Sequence, residues 1–257
     1  MLFYRWLAVL FAVIASIAFT ADAGRVAAQE PAGSGQPSNR IGLVKDHEPV
    51  KYEGYVLYFV EGELKAHDRL TQTWSIVPRE EGEYEHAFKI ETHAIHSNAE
   101  GGKPSLLPQT LFKKDFEDSV KYELFHQEED RGLVLDAIEV DGKPEKIDHE
   151  TEHYLYPGTL KIGTKWLSEP VVSTLPGPSQ MEVVGSEIYE GTNCWVISST
   201  RQQEKNPLIK NSETVRKAAT FLFDPLTLSI LRIDSVTEGL GPLGREFKFV
   251  YHMEVAE

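Results

Sequence analysis

The chain has a single cysteine in 257 residues. One thiol, Cys194, closes no internal disulfide, so the fold must be held by its core alone. In "NCWVIS" it stands between apolar neighbours and reads as a small buried hydrophobe rather than a nucleophile. A serine elbow of the G-x-S-x-G form is missing too, since Ser186 in "VVGSEIYEG" lacks the second glycine at the right place. "GLGPLGRE" near 239 has glycines but no following Lys-Ser/Thr, and reads as a loop rather than a phosphate cradle. Basic runs are absent, the longest being pairs such as Lys113 and Lys114 beside Asp115, Glu117 and Asp118. With a formal charge of −14, nucleic acid and anionic membrane surfaces are disfavoured partners. Asn-x-Ser/Thr acceptors are also lacking, which suits a bacterial cell envelope.

What is present at the N-terminus is an export signal. "MLFYRWLAVLFAVIASIAFTADAGRVAAQE" has one positive charge at Arg5, an apolar run from Trp6 to Ala21, and small residues at Ala21 and Ala23. That order predicts a signal peptide over 1–23, with an alternative cleavage after Ala28. The run is shorter than the ~20 residues a membrane-crossing helix needs, so no stable membrane span is expected after cleavage; the alternative is an uncleaved tether. No cysteine follows the run to take an acyl anchor. The expected location is periplasmic or extracellular. Residues 24–42, rich in Gly, Pro, Ser and Gln, read as a flexible tether, and 43–257 as a single β-rich domain.

Apolar residues in that domain recur every second position and hardly ever at helical spacing. In "REFKFVYHMEVAE", Phe247, Phe249, Tyr251, Met253 and Val255 share one face while Glu246, Lys248, His252 and Glu254 share the other. "VKYELFHQ" places Val120, Tyr122 and Leu124 together, and "EHAFKIETHAI" places Phe88, Ile90 and Ala94 together. "YVLYFV" at 55–60 and "CWVIS" at 194–198 are apolar at successive positions, as in central strands covered on both sides. Turn signals such as "DGKP" at 141, "YPGT" at 156, "YEGTN" at 189 and "DPLT" at 224 separate the runs. The pattern predicts a mainly β fold, a large antiparallel sheet with hairpin connections and few short helices, the latter at "SLLPQTLFKKDFEDS" and "NSETVRKAA". A Tyr-Glu-Gly shared by "EPVKYEGYVLYFVEGE" and "GSEIYEGTNCWVISS" has no wider period to support a duplication.

Three stretches, "YPGTLKIGTKW", "VVGSEIYEGTNCWVISST" and "ATFLFDPLTLSILRIDSVTEG", resemble strand-and-turn patterns of uncharacterised exported bacterial β-rich families. The resemblance covers roughly 156–239. It implies an envelope protein with a curved antiparallel sheet, distantly similar to lipoprotein-carrier (LolA-like) half-barrels, though without their well-marked amphipathic helices. It supplies no catalytic residue.

"HETEH" at 149–153 fits the H-E-x-x-H pattern, in which His149 and His153 would bind zinc from one helix face with Glu150 as general base. The flanks oppose a helix: Gly142 and Pro144 make a turn upstream and Pro157 stops one downstream. A peptidase would require a helix across 145–156 and a third ligand, and the generic carboxylates Glu169, Glu182 and Glu187 do not identify one. His86, His93 and His96 do not share one face of their strand, so they cannot all meet at one ion. Aromatics such as Tyr52, Tyr58, Trp74, Trp166, Trp195 and Phe249 suit the core of a large sheet, or a concave face for an apolar ligand. No catalytic, cofactor-binding or metal residue is assigned. The expected function is that of a non-enzymatic envelope protein that binds or scaffolds an unknown envelope partner. The alternatives are a periplasmic carrier of an apolar, lipid-like ligand and, third, a zinc hydrolase using 149–153.

Overall fold

The computed structural model describes residues 36–42, 49–78, 86–98, 119–128, 132–140, 143–146, 154–168, 178–203, 215–240 and 244–256. The signal-like segment, most of the tether, the helix expected at 105–119 except Ser119, and "HETEH" lie outside the described residues.

The strands are β1 (Val50–Val60), β2 (Glu63–Pro78), β3 (His86–Asn98), β4 (Ser119–Glu128), β5 (Gly132–Val140), β6 (Lys143–Lys146) and β7 (Tyr154–Pro157). They continue with β8 (Lys165–Ser168), β9 (Ser179–Tyr189), β10 (Thr192–Gln203), β11 (Val215–Asp224), β12 (Ser229–Leu240) and β13 (Glu246–Val255). Twelve of them follow edge to edge in the order β6-β5-β4-β3-β2-β1-β13-β12-β11-β10-β9-β8, and all described pairings are antiparallel. The last strand thus pairs with the first. β7 pairs with the free edge of β5, and the Trp166 indole N–H of β8 donates to the Leu155 carbonyl of β7 at 3.2 Å. The sheet therefore curls into a nearly closed up-and-down barrel.

Strict alternation explains which face looks in. Phe247, Phe249, Tyr251 and Met253 of β13 are buried in the core, with Glu246 and Glu254 exposed on the outside. Two hairpins turn on Glu-Gly pairs with positive φ at both residues, Glu61 and Gly62 (52° and 78°) and Glu190 and Gly191 (48° and 83°). Both are the mirror-image turns that match strand twist, and glycine supplies the second position at no steric cost. At 224–228 the Asp224 carboxylate accepts from the Leu226 N–H at 2.9 Å and the Thr227 hydroxyl at 2.7 Å, which fixes the Asp-Pro turn.

Five points of the sequence reading meet the structure: the first, second and fourth depart from it, and the third and fifth agree with it. Residues 215–219 of the expected helix "NSETVRKAA" begin β11, because Val215 and Ala219 face the core and the strand pairs on both edges. β1 is central in the sheet but covered on one face only: Tyr52, Val56 and Tyr58 are buried, whereas Tyr55 is exposed and Leu57 and Phe59 are half-buried. The two Tyr-Glu-Gly triplets have different structural positions. Tyr52–Gly54 lies within β1, while Glu190 and Gly191 form a turn, so they are not copies of one unit. Fourth, the flexible reading does not extend over 36–42, which straps one end of the barrel. The Leu160 N–H donates to the Asn39 carbonyl, the Gly42 N–H to the Pro225 carbonyl, and the Trp195 indole to the Ser38 carbonyl, at 2.7, 2.7 and 2.8 Å. Finally, Glu145 and Lys146 belong to β6 and Tyr154 to Tyr156 belong to β7, so the helix across 145–156 that a zinc peptidase requires is absent at both ends.

β-Bulges set the phase elsewhere. Asp136 is the extra residue on β5 opposite Leu124 and Phe125, so Leu135 and Ile138 both turn to the main core, beside Phe125 and Glu123. Leu124 instead joins Ala87 and Ala137 in a small cluster on the opposite face of the sheet, against Tyr122 and Val77. The β9–β10 tip bends over the outside of β11 and β12. Tyr189 reaches Glu254 of β13 at 3.1 Å, with the Arg232 guanidinium 5.7 Å from its ring centre. Leu222, outward by alternation, is accordingly buried.

Candidate functional site

Inside the barrel the two ends differ in chemistry. At the strapped end Tyr52, Trp74, Phe125, Leu133, Tyr156, Phe223 and Leu228 are buried together. The Tyr156 ring of β7 stacks on Phe223 of β11, centroids 4.0 Å apart and planes at 14°, so opposite walls meet across the interior. The crevice bounded by Val50, Tyr52, Trp74, Phe88 and Leu228 holds about 30 Å³. That is room for water, not for an organic ligand. The Glu123 carboxylate is fully buried in this half. Burial, with the charges of Glu123 and Tyr52 behind it, holds the Tyr156 phenol far above the usual tyrosine range.

The other end keeps apolar core residues such as Val215, Phe247 and Phe249 but adds a belt of buried polar side chains. Reading sideways along the sheet, Ser168 of β8 opposes Ser179 of β9, and Thr200 of β10 opposes Gln180, which brings Arg201 beside Ser179. Arg201 opposes Lys217 of β11, Lys217 opposes Thr237 of β12, Thr237 opposes Phe249 of β13, and Phe249 opposes Tyr58 of β1. Each shares the inward parity of its strand, and all are buried, Arg201 and Lys217 at 9% exposure and Ser179 at 1%. One row thus crosses seven strands and runs from hydroxyls through two cations to aromatics.

The row lies near the strand ends away from the strap. Ser168 ends β8, Ser179 begins β9, and Arg201 and Lys217 stand third from the ends of β10 and β11 that face each other. Ser199 and Ser235 occupy the next row inward, with Asp68 four strands further round from β11. The Ser179 hydroxyl makes no hydrogen bond among the described residues. Sequence reasoning missed this belt, though the signal was there. Lys217 falls in phase with Val215, Ala219, Phe221 and Phe223, and Arg201 with Trp195, Ile197 and Ser199, so both charges sit on the apolar parity.

Other titratable groups are accounted for on the outside or in the core. Cys194 is fully buried, and burial, then the charges of Asp224 and Glu187, push its thiol up to about 11, unsuited to nucleophilic attack at neutral pH. His86, His93 and His96 all lie along β3, opposite Pro78, Thr71 and Asp68 of β2. Among the described residues no three His, Cys, Asp or Glu side chains converge as metal ligands.

His126 lies between two carboxylates, Nδ1 2.9 Å from Asp136 and Nε2 3.2 Å from Glu128. Partial burial works against the charged ring, but the hydrogen bonds and charges of Asp136 and Glu128 outweigh it and raise its pKa. A raised folded-state value stabilises fully below the unfolded pKa, about 6.5, and the contribution fades as pH rises through the native value. His126→Gln should therefore narrow the gap in melting temperature between pH 5.5 and pH 8.5. An unchanged gap would show that the two carboxylates do not hold the proton.

No family model and no curated protein matches the chain. Among solved structures it is similar to a DUF1329 family protein from Desulfovibrio piger, with 7% identity over 80% of this chain and 85% of that one. The TM-score is 0.23, an overlap too slight to bear on fold or function.

Proposed function

We propose that this is an exported, non-enzymatic envelope protein, periplasmic or extracellular, that binds an amphiphilic ligand at the mouth of its barrel. The observation that carries this reading is the division of the interior into a packed apolar end and a polar belt flanked by Phe249 and Tyr58. Eight strands make a barrel that side chains just fill, and larger barrels enclose ligand space. With twelve successive strands, this barrel belongs to the larger kind. The resemblance of 156–239 to uncharacterised exported β-rich families, themselves distantly similar to lipoprotein-carrier half-barrels, suits the same class of protein.

Docking of another envelope protein is the second reading. It draws on Ile162, Val184 and Ile188, exposed at 59%, 49% and 45% on and beside β9, beyond the part that β8 pairs.

Native mass spectrometry of the protein from its own exported fraction tests the proposal. A co-purifying amphiphile, one per chain and released by organic solvent, is the expected result. The bare polypeptide mass would favour docking instead. A stoichiometric zinc ion lost on His149→Ala would overturn both readings and restore the hydrolase.

A further inference from the structure

Among the described residues, the outer edge of β9 is paired for only part of its length. We infer that the rest of that edge, 185–189, receives an extended segment of another exported protein, cationic and apolar at alternate positions, as one further strand of the sheet. This rests on the docking reading above and gives that partner its chemistry.

Two observations point to an added strand. The first is the backbone. β8 pairs with 179–182, and the loop before it reaches one residue further: the Gly163 N–H donates to the Val183 carbonyl at 2.8 Å and the Val183 N–H to the Thr164 carbonyl at 3.0 Å. Past Val183, the residues Val184, Ser186, Glu187 and Ile188 are all exposed. Tyr189 opposes Thr192 across the two-residue turn at 190–191, and such a turn is flanked by a hydrogen-bonded pair. Alternation from there turns the N–H and C=O of Tyr189 and Glu187 to β10, and those of Ser186 and Ile188 to the open edge. The second is how the two borders of the sheet are built. β6, at the far border, is four residues long and carries Lys143, Pro144 and Lys146, residues that blunt an edge. "VGSEIY" at 184–189 has neither lysine nor proline and exposes Val184 and Ile188 instead.

Charge selects the occupant. Glu187 shares the face of Cys194, while Ser186 and Ile188 share the face of Trp195 and Asn193. A second copy paired over the same stretch about a two-fold axis sets Glu187 against Glu187, and each chain carries a charge of −14. Sliding that copy toward β8 drives its turn into Gly163 and Thr164, which already hold Val183. A foreign strand with Lys or Arg opposite Glu187 meets neither obstacle, and Glu190, exposed at the turn, adds to the attraction. Apolar residues on either side of that cation then lie along Ser186 and Ile188. In strand addition the backbone bonds supply affinity and the alternate side chains specificity.

Three probes test this on the full exported chain: a capped peptide alternating valine and lysine, its glutamate counterpart, and the lysine peptide N-methylated along one edge. Fluorescence anisotropy gives the affinity and amide hydrogen exchange the place. The lysine peptide is expected to bind and to slow exchange at Ser186 and Ile188, with the glutamate peptide about fivefold weaker or more. Ser186→Pro deletes an N–H that β10 does not use. It should therefore abolish binding while lowering the melting temperature by no more than about 2 °C. Ile188→Lys, which removes the apolar contact instead, is the second variant. Binding that Ile188→Lys weakens, but that Ser186→Pro and N-methylation leave intact, would sink strand addition and keep docking through apolar side chains. Equal binding of the lysine and glutamate peptides would overturn the cationic partner. So would slow exchange at Ser186 and Ile188 in the free protein: if dilution abolishes it the occupant is a second copy, and if not the chain fills its own edge. If neither peptide binds, strand addition and docking fall together.

Discussion

Gly54→Val is expected to cost about 3 kcal/mol or more, enough to leave a typical domain of 5–15 kcal/mol marginal. Gly54 sits mid-strand in β1, opposite Met253 of β13 and Leu70 of β2. A Cβ built there would lie 2.1 Å from the His252 carbonyl oxygen and 2.9 Å from the Met253 Cα. Both obstacles are backbone, so relief requires β1 and β13 to part, and their pairing joins the first strand to the last. Glycine in a strand interior normally weakens it; here it permits the close approach by which the meander closes. Gly185→Ala is the control, because an added Cβ there meets nothing within 4 Å. Its unfolding free energy from a urea melt should change by no more than about 0.5 kcal/mol. Equal losses at the two positions would mean that the close approach of β1 to β13 is not what Gly54 serves.

Much of this fold can be read from local rules, and the failures have specific causes. β13 was readable because ten residues alternate without a bulge, and the turns at 190–191 and 224–228 because each has residues whose conformation or side-chain oxygen makes the turn. β4 illustrates the limit. Its alternation is real, yet Val120, Tyr122 and Leu124 define the face of the smaller cluster, and the main core takes Glu123 and Phe125. Hydrophobic pattern alone favours the leucine face; only the neighbouring strands, with Phe88 and Ile138 beside Glu123, show which way the strand is turned. The expected helix at 211–219 failed for a related reason. Polar residues at its start look like a cap, whereas β10 and β12 offer Val215 onward two partners that a nine-residue helix lacks. The strap at 36–42 was invisible because Pro, Ser and Gly suit a tether and a backbone-anchored loop equally well.

The candidate site was half legible. Parity along "CWVISSTRQQ" and "VRKAATFLF" puts Arg201 and Lys217 on the inner face of their strands, and one sequence can show that much. It cannot show that the two charges are neighbours, nor that Ser179 and Ser168 continue their row. Those facts depend on register across an eleven-residue connection between β10 and β11 and a ten-residue one between β8 and β9. Lateral rows belong to the sheet, not to the chain.

Phe223→Ala should be the most damaging core truncation at the apolar end, costing about 3–5 kcal/mol by the usual scale for a buried phenylalanine. Phe223 is fully buried and lies between Trp195 on β10 and the Ile230 position on β12. Its distinguishing contact is the stack on Tyr156, because β7 holds β5 by a ladder and β8 by side-chain contact at the barrel's incomplete seam. Removing the ring therefore takes away transfer energy, leaves a cavity that neighbouring strands cannot easily fill, and frees the strand that closes the wall. Phe223→Leu keeps most of the volume and loses the stack, for a cost of about 1–1.5 kcal/mol. Denaturant melts give the totals, and amide hydrogen exchange locates the effect. Faster exchange at 154–157 and 165–168 in Phe223→Ala, beyond what the global loss explains, is expected if the stack ties the seam. A loss below about 1 kcal/mol, or exchange raised evenly over all strands, would show that the opposite walls stand without it.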